Sequence, residues 1–120
     1  MSDKRKENVI VERSYRFALR IIDLVNSLPK NRICDVISRQ LLRSGTSIGA
    51  NVEEAQSGYS KNDFTNKMSI AQKEARESNY WLRLLRDSNQ IKESSIEDIL
   101  KESEELSRIL FSIVKTAKHK

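Results

Sequence analysis

Histidine, cysteine and proline each occur once in this chain of 120 residues, and glycine occurs three times. With His119 as the one histidine, no Ser-His-Asp set can form, and a di-metal site of the Glu-x-x-His type lacks its imidazole ligands. With Cys34 as the one cysteine, the chain can form neither an internal disulfide nor a cysteine-based zinc site, which fits a reducing compartment. We therefore predict that the protein is not an enzyme and holds no metal and no cofactor.

Long apolar runs are also missing from the sequence. No window approaches the ~18 consecutive apolar residues that a membrane-spanning helix requires. The residues after Met1 are polar and charged, Ser-Asp-Lys-Arg-Lys-Glu, and lack the apolar centre of a signal peptide. We expect a cytoplasmic protein without a membrane partner.

Because glycine and proline are scarce, long uninterrupted helices are permitted. Apolar residues recur at alternating spacings of three and four along nearly the whole chain, which is typical of bundled helices. This pattern predicts helices over about 9–28, 32–57, 61–89 and 95–118, forming a single domain over 9–118 after a flexible basic arm over 1–8. The turns are too short for crossovers. The predicted fold class is therefore an all-α, antiparallel up-down-up-down four-helix bundle with left-handed, coiled-coil-like packing.

Local signals mark the predicted helix ends. Pro29 ends the first helix, because proline lacks an amide hydrogen and disfavours a helical residue before it. Gly58 stands in the position where a glycine often ends a helix, here the second. Ser60 and Ser95 are predicted N-caps of the third and fourth helices, each with an aspartate three residues later.

The middle of the second helix carries small and polar residues where a bundle helix usually has leucine or isoleucine. Gly45 and Gly49 are four residues apart, a spacing that lets a neighbouring helix approach closely. The middle of the third helix is also built from small residues. We therefore expect unusually close packing of the second helix against the third.

A polar stripe accompanies these glycines. Ser47, Asn51 and Glu54 lie on one side of the second helix, where Glu77 of the third helix can meet them. One interpretation is a polar cluster that binds a ligand, and the other is a hydrogen-bond network that fixes helix register. A carboxylate metal site is excluded, since the first and fourth helices offer no inward-facing pair of carboxylates to match the glutamates of the second and third helices. Those glutamates are Glu53, Glu54, Glu74 and Glu77.

Basic residues exceed acidic ones, giving a formal net charge of +5 and a pI near 9.5. The arginines fall at helical spacings on three helices, with Tyr80 and Trp81 between those of the third. The stripes are Arg13, Arg16 and Arg20; Arg39 and Arg43; and Arg76, Arg83 and Arg86. Arginine grips phosphates and stacks on bases, so the stripes suit nucleic acid. Alternatively, they only solubilise the bundle while their aliphatic stems cover apolar surface.

Two runs carry a family resemblance. The run Ser47-Ile48-Gly49-Ala50-Asn51-Val52-Glu53-Glu54-Ala55 resembles the Ser-Ile-x-x-Asn-Ile-x-Glu-Gly signature of the 23S rRNA intervening-sequence proteins. The run from Ile70 to Leu82 is similar to a second block of that family, in which small residues precede a glutamate. The resemblance covers about residues 8–118. Val52 stands for isoleucine and Ala55 for glycine.

The resemblance implies a small four-helix protein encoded within bacterial rRNA insertions or elsewhere in a genome. It also implies a relation to accessory proteins of diversity-generating retroelements, which form a pentameric barrel and bind nucleic acid and a reverse transcriptase. The ribosomal-protein label that the family sometimes carries is no proof of ribosome binding.

Several apolar residues lie outside the predicted seams and exceed what we expect a monomer to bury. They are Ile22, Val25, Leu42, Tyr80, Trp81 and Leu84. We predict a homo-oligomer, with five copies favoured by the resemblance, that binds nucleic acid, specifically structured RNA, through its arginine-rich faces. The alternative is an interaction scaffold or mobile-element accessory protein with a protein partner.

Overall fold

The computed structural model describes residues 3–57 and 59–119, which form four α-helices. These are α1 (Asp3–Ser27), α2 (Arg32–Ala55), α3 (Lys61–Asp87) and α4 (Glu93–Lys118). Successive helices are joined by short turns and packed side by side, which confirms the all-α, up-down-up-down four-helix bundle. In the described part of the chain no helix is long and apolar enough to cross a membrane.

Each helix packs against two neighbours, so the bundle is square in cross-section. The helix α2 contacts α1 and α3, and α4 contacts α3 and α1, while α1 and α3 lie on a diagonal, as do α2 and α4. The interface between α2 and α3 is the most extensive, and that between α1 and α4 is the least extensive. The resulting body measures 46 × 24 × 19 Å.

The apolar seams of α1, α3 and α4 form the core as expected. The seam of α2 is displaced near both of its ends. Spacings of three and four along α2 predict a core-facing seam of Ile33, Ile37, Leu41, Ser44, Ile48, Asn51 and Ala55. In the structure, Cys34 is buried instead of Ile33, and Val52 instead of Asn51. A straight helix has about 3.6 residues per turn, so a stripe with an average spacing of 3.5 drifts around it. The drift leaves Ile33 half exposed on the surface.

Side-chain caps start two of the helices. The Oδ1 atom of Asn31 accepts a hydrogen bond from the Cys34 amide (2.9 Å), which satisfies one of the free amides at the start of α2. The Oγ atom of Ser60 accepts from the Asp63 amide (3.0 Å), which confirms the predicted cap of α3. The first helix ends before Pro29, also as predicted.

Two helix starts differ from the sequence prediction. The helix α1 begins at Asp3 rather than near residue 9, and Lys6 donates to Ser112 Oγ of α4 (2.8 Å), so residues 3–8 extend the bundle. The helix α4 begins at Glu93, so the predicted cap at Ser95 is wrong, and this residue lies inside the first turn.

The turn between α3 and α4 lies two residues earlier than predicted, because α3 ends at Asp87 rather than at residue 89. Asn89 has a φ of 61°, in the left-handed region that asparagine tolerates better than most residues. This residue lies in the turn just after α3, and α4 then begins at Glu93, also two residues earlier than predicted. The predicted stop at Gly58 lies outside the described residues.

The two glycines of α2 face α1 rather than α3. A Cβ atom on Gly45 would lie 2.8 Å from Cγ1 of Ile21, closer than carbon atoms can pack. A Cβ atom on Gly49 would lie 3.3 Å from the backbone oxygen of Ser14. The glycine pair is therefore the contact surface of α2 for α1, which corrects the expectation that it packs against α3.

Replacing Gly45 with alanine tests this close approach. We expect Gly45→Ala to lower the free energy of unfolding by about 1–3 kcal/mol, because the new methyl group overpacks the contact with Ile21. In an Ile21→Ala background the same change is expected to be neutral or stabilising, since only the helix propensity of alanine, about 1 kcal/mol, then remains. Urea unfolding of the four chains measures both effects.

A matched control comes from the exposed side of the same helix. Ala50 is exposed, so Ala50→Gly reports the propensity difference alone. If Gly45→Ala stabilised the protein as much as Ala50→Gly destabilises it, the space between α1 and α2 would be larger than described.

Candidate nucleic-acid interface

Buried hydroxyl groups connect three of the helices. Ser78 Oγ of α3 donates to Ser44 Oγ of α2 (2.9 Å), and both side chains are fully buried. Asn79 Nδ2 donates to Ser103 Oγ of α4 (2.9 Å), which in turn donates to the backbone oxygen of Leu100 (2.6 Å). Among the described residues, no buried side-chain nitrogen or oxygen lacks a hydrogen-bond partner. These bonds set the register of α3 between α2 and α4.

Arg43 joins α2 to α3 through two carboxylates. Its guanidinium donates to Glu74 Oε2 (3.0 Å) and to Glu77, and Glu77 also accepts from the indole nitrogen of Trp81 (3.3 Å). Glu74 is 8% exposed, and an ionised carboxylate so buried requires an opposite charge. We refer to these four residues as the arginine bridge. Across the described residues, no three His, Cys, Asp or Glu side chains are grouped so that they could hold a metal ion.

The arginines of α1 are in three different situations. Arg13 forms a bidentate pair with Glu102 of α4 (2.9 and 2.6 Å), and this hydrogen bonding raises the pKa of Arg13 above its ordinary value against the opposing effect of burial. Arg16 pairs with Glu12 on the exposed surface (2.6 Å). Arg20 is exposed and makes no ion pair with the residues that the structure describes. The α1 stripe is therefore partly used in bundle contacts.

Arg39 and Arg86 also have local partners. Arg39 Nε donates to the backbone oxygen of Asp35 (3.3 Å). Arg86 pairs with Asp87 (2.8 Å), and this hydrogen bond raises the pKa of Arg86 and lowers the pKa of Asp87. Because the pKa of Asp87 lies below its ordinary value, the pair is intact at neutral pH and is lost only as the pH falls into the acid range.

The remaining two arginines, Arg76 and Arg83, lie with Lys73 along one groove between α3 and α4. This α3–α4 groove has a volume of about 630 Å³. Neither Lys73 nor Arg76 makes an ion pair with a residue in the described ranges. Arg83 Nε donates to Asn79 Oδ1 (2.9 Å), and its guanidinium carbon lies 5.8 Å from the ring centroid of Tyr80. The other polar residues of the groove are Ser69, Gln72, Glu77, Ser103, Glu104 and Ser107.

A family model described as the 23S rRNA-intervening sequence protein matches residues 6–112. The chain belongs to this family. Among solved structures, it is similar to the crystal structure, at 1.70 Å resolution, of a protein with unknown function from the S23 ribosomal protein family of Bacteroides thetaiotaomicron VPI-5482. The two are 45% identical with a TM-score of 0.85, and the match covers 92% of this chain and 98% of the other. No curated protein matches the chain.

The residues of the family motif on α2 do not form one network in this member of the family. Ser47 and Asn51 donate to backbone oxygens one turn earlier in their own helix (2.6 and 2.8 Å). Glu54 pairs with Lys67 of α3 (3.2 Å), whereas Glu77 belongs to the arginine bridge. Of the stripe on α2, Glu54 alone reaches α3 among the described residues, and the Ser44–Ser78 hydrogen bond and the arginine bridge make further polar contacts between the two helices.

Of the six apolar residues predicted to lie outside the apolar seams, three pack against the core of this family member. Val25, Trp81 and Leu84 are partly buried and pack against the core, so these three give no exposed patch. The other three, Ile22, Leu42 and Tyr80, remain substantially exposed.

Tyr15 and Leu19 are also exposed, and they form a continuous apolar stripe with Ile22 on α1. The three residues follow spacings of four and three, so they share one side of the helix. Leu42 lies three residues before Gly45, on the side of α2 that faces α1. We call Tyr15, Leu19, Ile22 and Leu42 the α1 apolar face. Because α1 and α3 are diagonal, this face lies away from the α3–α4 groove.

Several groove residues were not predicted from the sequence, among them Lys73, Asn79, Ser103 and Glu104. Asn79 sits between the arginines of α3 without an obvious signal, and Ser103 occupies a seam position that reads as core. Glu104 carries the charge opposite to that of the predicted site. Only the contact between α3 and α4 brings them together, and no spacing within a single helix reveals that contact.

The arginine bridge gives a testable stability difference. We expect Arg43→Met to lower the free energy of unfolding by about 1–3 kcal/mol, because Glu74 then remains buried without its cation. Arg16→Met removes an exposed pair and serves as the control, with an expected loss of less than about 1 kcal/mol. Urea unfolding at neutral pH measures both variants, and equal effects would show that Glu74 does not depend on Arg43.

Proposed function

We propose that this protein is a non-enzymatic, homo-oligomeric member of its family that acts in the cytoplasm and binds structured RNA. The observation that carries the proposal is the α3–α4 groove. Within the described ranges, Lys73 and Arg76 have no ion-pair partner there, unlike Arg13 and Arg43, whose charges are compensated by interhelical carboxylates. Cations that make no ion pair, beside an exposed tyrosine, suit a polyanion that also offers flat bases.

The distribution of arginines refines the sequence prediction. Arg13 and Arg43 are expected to stabilise the bundle, and Arg39 and Arg86 have local partners. On α1, Arg16 pairs with Glu12, so Arg20 is the one member of that stripe without an ion pair among the described residues. The outer surface of α3 is therefore the face where we expect phosphate contacts.

Binding of a folded RNA with unpaired loops, measured by fluorescence anisotropy, tests the proposal. We expect affinity at micromolar protein to fall steeply between low and moderate salt, because phosphate contacts release counterions. Replacing Lys73 and Arg76 together with serine should weaken binding about ten-fold or more and reduce the salt slope by about 0.7–0.9 per lost phosphate contact.

The control removes the same charge elsewhere. Lys30 and Lys101 are exposed and lie outside the groove, so replacing both with serine changes the net charge equally. This control is expected to bind within about two-fold of the parent. Absence of salt-sensitive RNA binding, or equal losses in the two double variants, would contradict the assigned face.

The α1 apolar face supports the homo-oligomeric part of the proposal. Ile22 and Leu42 are about 40% exposed, and Tyr15 and Leu19 are more exposed still. Such clustered apolar side chains are typical of interaction sites. A closed ring of copies covers the face and leaves the groove on the diagonal helix accessible. The resemblance to pentameric accessory proteins favours five copies, and several grooves around one axis raise avidity for a single RNA.

Replacing Ile22 with glutamate tests this assembly. Light scattering of the parent at micromolar concentration is expected to give a multiple of 13.9 kDa, and Ile22→Glu should shift it toward the monomer mass with helicity retained. Ile70 of α3 is 43% exposed but lies outside the face, so Ile70→Glu is the matched control and should keep the assembly.

A monomeric parent would argue against the homo-oligomer. It would favour the second candidate, an interaction scaffold or mobile-element accessory protein in which another protein covers the same apolar face. Recovery of one protein partner after nuclease treatment, lost in the Ile22→Glu variant, would then support that candidate.

A further inference from the structure

The α3–α4 groove contains an aromatic side chain in an unusual setting. Tyr80 is 47% exposed in a groove whose other lining residues are charged or polar. Its ring meets Trp81 edge-on, with centroids 5.1 Å apart and planes at 74°. Trp81 is in turn held by Glu77 of the arginine bridge. The Tyr80 ring therefore packs against Trp81, which is itself hydrogen-bonded to Glu77 at the α2–α3 interface.

A chain of hydrogen bonds positions the cation beside this ring. Ser103 of α4 is fully buried, and its Oγ accepts a hydrogen bond from Asn79 Nδ2 (2.9 Å). Asn79 Oδ1 in turn accepts a hydrogen bond from Arg83 Nε (2.9 Å). Arg83 thereby lies over Tyr80 at 5.8 Å from its centroid. A long arginine side chain is ordinarily mobile on a surface, but here its position is fixed through two residues from the core.

Lys73 and Arg76 lie on the same side of α3 as Tyr80 and Arg83. Lys73, Arg76, Tyr80 and Arg83 follow spacings of three, four and three, so they form one row of about 15 Å along α3. Cations beside an aromatic ring match a nucleotide strand, in which phosphates and base faces occur together. On the α4 side, Glu104 can accept a hydrogen bond from an exocyclic amino group of a base.

We propose that the α3–α4 groove binds single-stranded nucleic acid, with an unpaired base stacked on Tyr80 and the adjoining phosphates held by Lys73, Arg76 and Arg83. This inference rests on the proposed RNA-binding function and specifies which part of an RNA enters the site. In a duplex the base faces are covered by their neighbours, so a duplex offers Tyr80 nothing to stack on. A row of lysines and arginines without the ring would accept duplex and single strand alike.

Anisotropy with three probes tests the inference on the full chain: a short single-stranded RNA, the same strand annealed to its complement, and the corresponding single-stranded DNA. We expect the single-stranded RNA to bind at least ten-fold more tightly than the duplex. Tyr80→Leu should weaken single-strand binding about ten-fold while leaving duplex binding within two-fold, because stacking is lost but the charges stay. Tyr80→Phe keeps the ring and should bind like the parent. The DNA arm shows whether the ribose hydroxyl contributes.

The chain also contains a spectroscopic reporter, because Trp81 is its only tryptophan and touches Tyr80. Stacking of a base on Tyr80 is expected to change the Trp81 emission on addition of single-stranded RNA but not of duplex. Independently of any variant, photo-crosslinking of a 4-thiouridine strand to the parent protein should label the segment 79–83. Labelling confined to other segments would overturn the inference even if the Tyr80 variants failed to fold.

The outcomes separate the two proposals. Salt-sensitive binding that is equal for single strand and duplex, with no effect of Tyr80→Leu, would refute the stacking site and leave RNA binding standing. Absence of binding to every probe would refute both.

Discussion

The close fit of α2 between its two neighbours is the constraint on which the rest of the bundle depends. On one side Gly45 allows contact with Ile21 that a methyl group would prevent, and on the other Ser44 bonds to Ser78 within the core. Small residues bring the backbones together, and the hydroxyl pair fixes how far along its axis each helix lies. This position of α3 relative to α2 then places Arg43 against both carboxylates of the arginine bridge.

The same register extends across the molecule to the α3–α4 groove. Ser103 occupies a core position of α4, yet its hydroxyl ends a hydrogen-bond chain that reaches the exposed Arg83. A groove residue is thus oriented by a group that solvent never contacts. The polar atoms within the bundle therefore have two effects, since they satisfy one another and they order side chains on the outside.

The repeat of apolar residues was sufficient to predict the four helices and most of the core, because burial of one helical face dominates the energetics of a bundle. Local chemistry also predicted the Ser60 cap and the end of α1 before Pro29. The start of α4 was missed because the turn is displaced by two residues, with a left-handed Asn89 just after α3, a conformation that asparagine permits without requiring. The pairing of Arg13 with Glu102 and the seating of Trp81 against the core depend on contacts between helices distant in sequence. No periodicity within one segment encodes such contacts.

The unequal interfaces have a consequence for the order in which the molecule opens. The most extensive contact joins α2 and α3, which are neighbours in sequence, whereas the sparsest joins α1 and α4 through pairs such as Lys6 with Ser112, 106 residues apart. Closing the shorter loop loses less chain entropy, so the central hairpin forms early and the edge between the first and last helices closes late. In native-state hydrogen exchange, the backbone amides of α1 should therefore exchange through the opening of lowest free energy. The backbone amides of α2 and α3 should stay protected until global unfolding.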